Sequence, residues 1–230
     1  MILYGRNPVR EALRGPRQVQ RIWATTSTLR EPWLAAAAVP TLPATSEQIE
    51  SLSGSPSHQG ICAEVEPYRY ARAEDVLAAP AALIVALDQI QDPQNLGSIC
   101  RSAECAGATA VVIPERRSAE ITASVCKASA GAVEHLRVAR VRNLADFLAD
   151  AKASGAWCYG ADAAGPVAYD TVDWKGTAVL VLGSEGNGLR PRVASACDAL
   201  VSLPIRGQIE SLSVSAAAAV LLYAAARSRG

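Results

Sequence analysis

Only two histidines, His58 and His135, occur in the 230 residues, and the six cysteines are scattered without a Cys-x-x-Cys pair. That shortage argues against a zinc site. No apolar run suits a bilayer span: the best, Val214 to Ala226, is short and interrupted by Ser215. Met1-Ile2-Leu3 passes directly into Gly5-Arg6-Asn7-Pro8, so no secretory leader is expected. The glycines never fall into Gly-x-Gly-x-x-Gly, and no glycine-rich stretch ends in Lys-Ser or Lys-Thr. A dinucleotide fingerprint and a P-loop are therefore both missing, which disfavours a small-molecule enzyme built on a nucleotide cofactor of those kinds. Cysteines in apolar surroundings act as small hydrophobes, and a reducing cytoplasm is their expected compartment. There is no internal repeat, no low-complexity tract and no net charge, since 22 basic residues balance 22 acidic ones.

Balance hides an asymmetry. Residues 1–30 carry Arg6, Arg10, Arg14, Arg17, Arg21 and Arg30 against the single acid Glu11. Such a segment suits a local anionic partner, RNA or a membrane surface, although charge alone favours the bland alternative of a solvated helix face. Asn7-Pro8 predicts a helix start, with Asn7 as cap and Pro8 in the first turn. Val19 to Thr25 and Gly60 to Val65 read as strands and Ser46 to Leu52 as a helix, which makes residues 1–67 a compact αβ unit. A polar linker is expected over 68–80. From residue 81, apolar runs at 83–87, 110–113, 136–141, 156–160, 178–182 and 199–203 alternate with helical stretches. Continuous apolar runs of this length are what parallel strands buried on both faces require. Residues 81–230 are therefore an α/β domain with a mainly parallel sheet.

Three of those runs end in unusual blocks. The first is Asp92-Pro93-Gln94-Asn95-Leu96-Gly97, reaching Arg101; the second is Gly183-Ser184-Glu185-Gly186-Asn187-Gly188-Leu189. The third is Leu203-Pro204-Ile205-Arg206-Gly207, continuing to Ser211-Leu212-Ser213-Val214-Ser215. In an open α/β sheet the carboxyl ends of the strands are where ligands bind. Glycines there expose main-chain N–H and C=O groups without side-chain obstruction, which suits an adenine read by backbone hydrogen bonds. Each block also has an ordinary reading: a helix cap and a surface arginine, a glycine-rich connection, and serine as N-cap of the last helix.

Together the blocks resemble the three motifs of the TrmH/SpoU family of RNA ribose 2′-O-methyltransferases, within the SPOUT class. Gly5-Arg6-Asn7-Pro8-Val9-Arg10 and His58-Gln59-Gly60-Ile61 are similar to the substrate-binding extension of the large-subunit rRNA guanosine 2′-O-methyltransferases. The resemblance implies a C-terminal trefoil-knotted domain with a small N-terminal domain of the ribosomal L30e type. It also implies S-adenosyl-L-methionine as cofactor, ribosomal RNA as substrate and a homodimer, with no metal and no membrane. By motif position it assigns Asn95, Arg101, Glu185, Ser211 and Ser213 to the reacting groups. Gly183, Leu203 and Leu212 would hold the cofactor, and Arg6 and Arg10 would contact RNA. His58 is expected to be structural or RNA-contacting, not a base. One position departs from the pattern: Ser213 stands where the family usually has asparagine, exchanging an amide on a longer arm for a short hydroxyl. A tRNA or antibiotic-resistance rRNA methylase, or a catalytically impaired ribosome-assembly factor, is the alternative.

Overall fold

The computed structural model describes residues 1–230. Its N-terminal part runs β1 (Ile2–Tyr4), α1 (Arg6–Arg14), β2 (Val19–Ala24), α2 (Pro32–Ala35), β3 (Thr41–Pro43), α3 (Ser46–Ser53) and β4 (Ile61–Val65). These strands form a mixed four-stranded sheet in the order β1-β4-β2-β3, with β4 antiparallel to both neighbours. α3 is held at both ends: Thr45 and Gln48 form a reciprocal capping box, and Gly54 closes the helix in the left-handed region.

The helix expected to start at Asn7 starts one residue earlier and is not capped by it. Gly5, at φ +95, turns the chain out of β1, so Asn7 lies inside the first turn and its side chain makes no cap. A side chain at Gly5 would also collide with Lys127, its Cβ lying 2.5 Å from Nζ.

The segment 68–80 carries α4 (Ala73–Leu77) and is docked along its length. The Tyr68 hydroxyl donates to the Leu136 carbonyl, the Tyr70 hydroxyl accepts from the Ile121 N–H, and Val76 is fully buried. Beyond it come β5 (Leu83–Asp88), α5 (Pro93–Cys105), β6 (Ala110–Pro114), α6 (Ala123–Ala128), β7 (Arg137–Val141) and α7 (Leu144–Ala153). The chain then forms β8 (Trp157–Ala161), β9 (Val167–Ala168), β10 (Ala178–Gly183), α8 (Pro191–Ala196), β11 (Ala199–Ser202) and α9 (Val214–Arg229). The seven strands pair in the order β7-β6-β5-β10-β8-β11-β9, every pair parallel. All six expected apolar runs are strands of this α/β sheet; β9, only two residues long, has no apolar run to announce it.

Both faces of the sheet are covered, and alternate residues divide between them. Leu83, Val85 and Leu87 of β5 join Leu180 and Leu182 of β10 in one core, while Ile84, Ala86, Val179 and Val181 enter the other. The first core does not stop at the sheet. It continues through α5, α6 and α9 into Leu3, Val9, Ile22, Ile61 and Val65 of the N-terminal part. One apolar mass therefore holds the small sheet against the large one.

A buried ion pair lies in the same junction. The Arg17 side chain is 4% exposed and that of Glu134 fully buried; Arg17 Nε donates to Glu134 Oε2 at 2.9 Å and Nη2 to Oε1. Arg17 Nη1 also donates to the Glu66 carbonyl at 3.2 Å. Nearby, His135 donates through Nε2 to Glu11 Oε2 at 3.0 Å. Burial works against the Glu11 charge, but the hydrogen bonds from His135 and Arg10 and the Arg14 charge outweigh it and hold its carboxyl below the usual range. A buried pair is costly to break because one partner is left charged and alone. Glu134→Ala is therefore expected to destabilise the chain by roughly 3–5 kcal/mol, while Arg17→Met/Glu134→Leu together should recover most of the loss. Urea unfolding of the three proteins checks this; an equal loss in the double variant would contradict it.

Candidate functional site

Because every strand of the large sheet runs the same way, β5, β10 and β11 all deliver their following loops to one edge. From β5 the chain moves outward through β6 to β7, then returns to the other side of β5 through β8 and β10. The order reverses between β5 and β10, and ligands in open α/β sheets bind at such a reversal, outside the carboxyl ends of the strands. The first and second blocks leave from these two adjacent strands, whose last residues Asp88 and Gly183 are paired in register.

Local chemistry sets each block. Asp92 caps α5 by accepting from the Gln94 N–H at 3.0 Å, with Pro93 in the first helical position. Asn95 is half-buried in that first turn, and Arg101 is exposed further along α5. Gly97 has a packing duty: its Cβ would lie 2.4 Å from the Ala128 Cβ and 2.9 Å from the Ser129 nitrogen, so only glycine lets α6 approach α5 this closely.

The second block is a tight hairpin. Ser184 N–H donates to the Gly188 carbonyl at 3.1 Å, and Gly188 N–H to the Ser184 carbonyl at 2.9 Å. The fold-back brings Gly188 so near that a Cβ on Gly183 would sit 2.1 Å from its carbonyl carbon. No rotamer relieves a backbone overlap, so Gly183 is glycine for the turn itself. Gly186, at φ +82, and Gly188, at φ +62, face open space.

Two contacts join the blocks. Asp88, whose side chain is fully buried, accepts the Arg190 N–H at 2.9 Å and Arg190 Nε at 2.7 Å, tying the exit of the second block to the end of β5. Glu185 Oε1 accepts the Val214 N–H at 3.3 Å, tying the hairpin to the start of α9 and so to the third block. Asp88 was not among the residues singled out from sequence. A lone acid ending an apolar run was its only signal.

The third block is open. Residues 204–212 are all exposed and make no backbone–backbone hydrogen bond. Unspent N–H and C=O groups of this kind are free for another partner. Leu203 is half-buried, whereas Ile205, Ile209 and Leu212 are exposed, Ile209 to 78%. Ser211 is exposed. Ser213 is the N-cap of α9, its hydroxyl accepting from the Ala216 N–H at 3.3 Å.

No histidine lies in the three blocks to serve as a base. His58 is buried in the N-terminal part, where Nδ1 accepts from the Gly60 N–H at 3.0 Å and Nε2 lies 3.3 Å from Ser46 Oγ, so its role is structural. Cys100, beside Arg101, is fully buried, which pushes its thiol up to about 12. The N-terminal arginines are largely spent within the fold. Arg6 pairs with Glu31, Arg10 and Arg14 with Glu11, and Arg17 with Glu134, while Arg21 stacks over Trp23. Arg6 and Arg10 thus each have an internal carboxylate partner.

No helix is long and apolar enough to cross a membrane. Residues 82–223 match the SpoU rRNA methylase family, and residues 2–71 match the RNA 2′-O ribose methyltransferase substrate-binding domain. An uncharacterized tRNA/rRNA methyltransferase of Synechocystis is 40% identical across the whole chain, which spans 63% of that relative's length. One from Mycobacterium ulcerans is 41% identical over 98% of the chain and 76% of its own length. An rRNA methyltransferase from Sinorhizobium meliloti, solved with AdoMet bound, superposes with a TM-score of 0.81 at 26% identity, covering 98% of this chain and 86% of that one. The two family matches cover the large sheet and the appended small one: the chain belongs to the SpoU rRNA methylase family, with an RNA 2′-O ribose methyltransferase substrate-binding domain at its N-terminus.

Proposed function

We propose that this chain transfers a methyl group from S-adenosyl-L-methionine to a ribose 2′-hydroxyl of RNA, the target being a guanosine in 23S ribosomal RNA. The observation that carries the reading is the placement of the three blocks at one sheet edge, where Asp88–Arg190 holds the second to the end of β5 and Glu185–Val214 holds it to the third. The choice of large-subunit rRNA is supported by the N-terminal strings Gly5 to Leu13 and His58 to Ile61.

The donor set fits the cofactor. Open main chain at Gly186 and 204–212 supplies amides and carbonyls for an adenine edge, and Leu203 and Leu212 supply apolar contact. Gly183 shapes the hairpin that presents them. When bound, S-adenosylmethionine provides an electrophilic methyl group. An AdoMet-bound relative with this fold supports the assignment.

The chain's own residues then have distinct tasks. Holding hydroxyl and methyl donor in line supplies much of the acceleration of such a transfer. Asn95 and Ser211 orient the ribose, and Glu185 fixes the hairpin against α9. Arg101 keeps its proton, since a guanidinium almost never titrates in proteins. Its work is to steer the neighbouring phosphate and stabilise charge developing on the 2′-oxygen, while a phosphate oxygen or water takes the proton. Two copies pair through exposed apolar side chains of the third block and α9, Ile205, Ile209, Val220 and Tyr223, whose exposure supports the homodimer. Ser213 favours one secondary reading. With its hydroxyl occupied by the α9 cap, it offers less to the site than asparagine would, which is the direction of a weakened enzyme.

Labelled methyl transfer to protein-free 23S rRNA, with the modified ribose mapped, tests the proposal. One 2′-O-methylguanosine is the expected product. Methyl on a base, or no transfer to rRNA or tRNA by protein that binds the cofactor, would overturn it. Within an active enzyme, Arg101→Lys keeps the charge but loses the planar fork. Its kcat is expected to fall about 10²–10³-fold with cofactor affinity unchanged. Undiminished turnover would remove the positioning role.

A further inference from the structure

We propose that the loops leaving β6 and β7 form a second RNA contact on the methylase domain, in which Arg116, Arg117 and Arg142 hold backbone phosphates of the strand flanking the target ribose. The inference rests on the function proposed above and adds to it a track that neither the three blocks nor the N-terminal domain supplies.

The placement follows from the sheet. β6 lies beside β5, and β7 beside β6, so their carboxyl ends continue the edge that bears the first block. Adjacent strands are about 4.8 Å apart, which puts the loop after β6 next to that block and the loop after β7 one step further out.

The loop after β6 is fixed, not loose. The Ile90 carbonyl, in the connection that leads to the first block, accepts from the Ala119 N–H at 2.8 Å and from Ser118 Oγ at 3.3 Å. The Tyr70 hydroxyl accepts from the Ile121 N–H at 2.9 Å, and Arg140 Nη2 donates to the Glu115 carbonyl at 3.2 Å. Arg117 itself sits at φ +58, a left-handed conformation that costs a non-glycine residue energy and gathers at functional positions. So three separate anchors hold a strained turn whose two arginines point away from the fold's own charge network.

The charge balance favours a phosphate. Arg116, Arg117 and Arg142 are exposed and take part in no ion pair or side-chain hydrogen bond of the fold. Most acids of the same rim are already answered: Glu120 by Arg140, Asp146 by Arg192 and Glu74 by Arg72. Only Glu115 and Asp150 remain against the three arginines. Arg116 and Arg142 also line a cleft of about 1070 Å³, whose wall holds Arg140 and the acids Glu74, Glu115, Asp146 and Asp150 as well. Arg116, Arg117 and Arg142 are thus left over after the rim's own ion pairs, whereas Arg6, Arg10, Arg14 and Arg17 of the N-terminal part each have a carboxylate partner. Free guanidinium groups on a rigid edge beside a reaction site are an electrostatic footprint for a nucleic-acid backbone.

The test uses the full chain and a labelled single-stranded fragment of 23S rRNA, with affinity measured from low to high salt. Each phosphate contact to a single strand contributes about 0.7 to the log–log salt slope. Arg116→Ala/Arg117→Ala/Arg142→Ala should flatten that slope by about 2 and weaken binding more than tenfold at low salt. Cofactor affinity and melting temperature should stay at wild-type values. The corresponding triple lysine variant should retain most of the slope, which separates charge from folding. An alanine variant with wild-type slope, in a protein that binds and methylates RNA, would overturn this inference and leave the proposed function standing. Wild-type protein that binds no RNA at all would overturn both.

Discussion

A fully buried carboxylate at the end of the first strand of the large sheet governs the geometry of everything around it. Asp88 cannot remain charged inside the protein without partners, and both of its oxygens are answered by Arg190, through the main chain and the guanidinium. That requirement pulls the far end of the glycine hairpin onto β5, although it springs from β10. Glu185 then catches the start of α9, and the third block is drawn in by consequence. The site is thus assembled by two hydrogen-bonded acids acting on loops that have almost no packing of their own.

The second constraint concerns the small sheet. A separate RNA-binding unit on a flexible tether would have to find the reaction edge afresh at each encounter. Here the apolar core runs without a break from Leu3, Ile22 and Ile61 into α5, α6 and α9, and the Arg17–Glu134 pair is sealed inside the junction. Such a pair contributes little net stability compared with apolar packing, but it penalises any arrangement that separates its members. It therefore acts on orientation. Whatever the small sheet binds is thus held at a set position relative to the large one.

Much of this was legible in the chain, for identifiable reasons. Parallel strands buried on both faces must be apolar throughout, so Leu83 to Leu87 and Ala178 to Leu182 could be read directly, and their loops had to share an edge. What escaped depends on contacts between residues far apart in sequence. Asp88 meets Arg190 across 102 positions, and Arg17 meets Glu134 across 117. No local pattern reports either. The same ignorance made the arginines of residues 1–30 look like a free basic patch, when Glu11, Glu31 and Glu134 consume most of them. Asn7 suits a cap by its type, but the turn at Gly5 starts the helix first. Of the site residues, the glycines of the hairpin were legible as a class, yet only the structure separates Gly183, required by the fold-back, from Gly186 and Gly188, which face open space.

The central claim is that the second and third blocks form one cofactor site at the β5–β10 edge, beside the first block. Hydrogen exchange of the full chain with and without S-adenosylmethionine tests it most directly. The account predicts new protection confined to 183–188 and 203–213, and its loss in Gly183→Ala, whose Cβ the hairpin cannot accommodate. Protection appearing in the cleft beyond β6 and β7 while both segments exchange freely would contradict it.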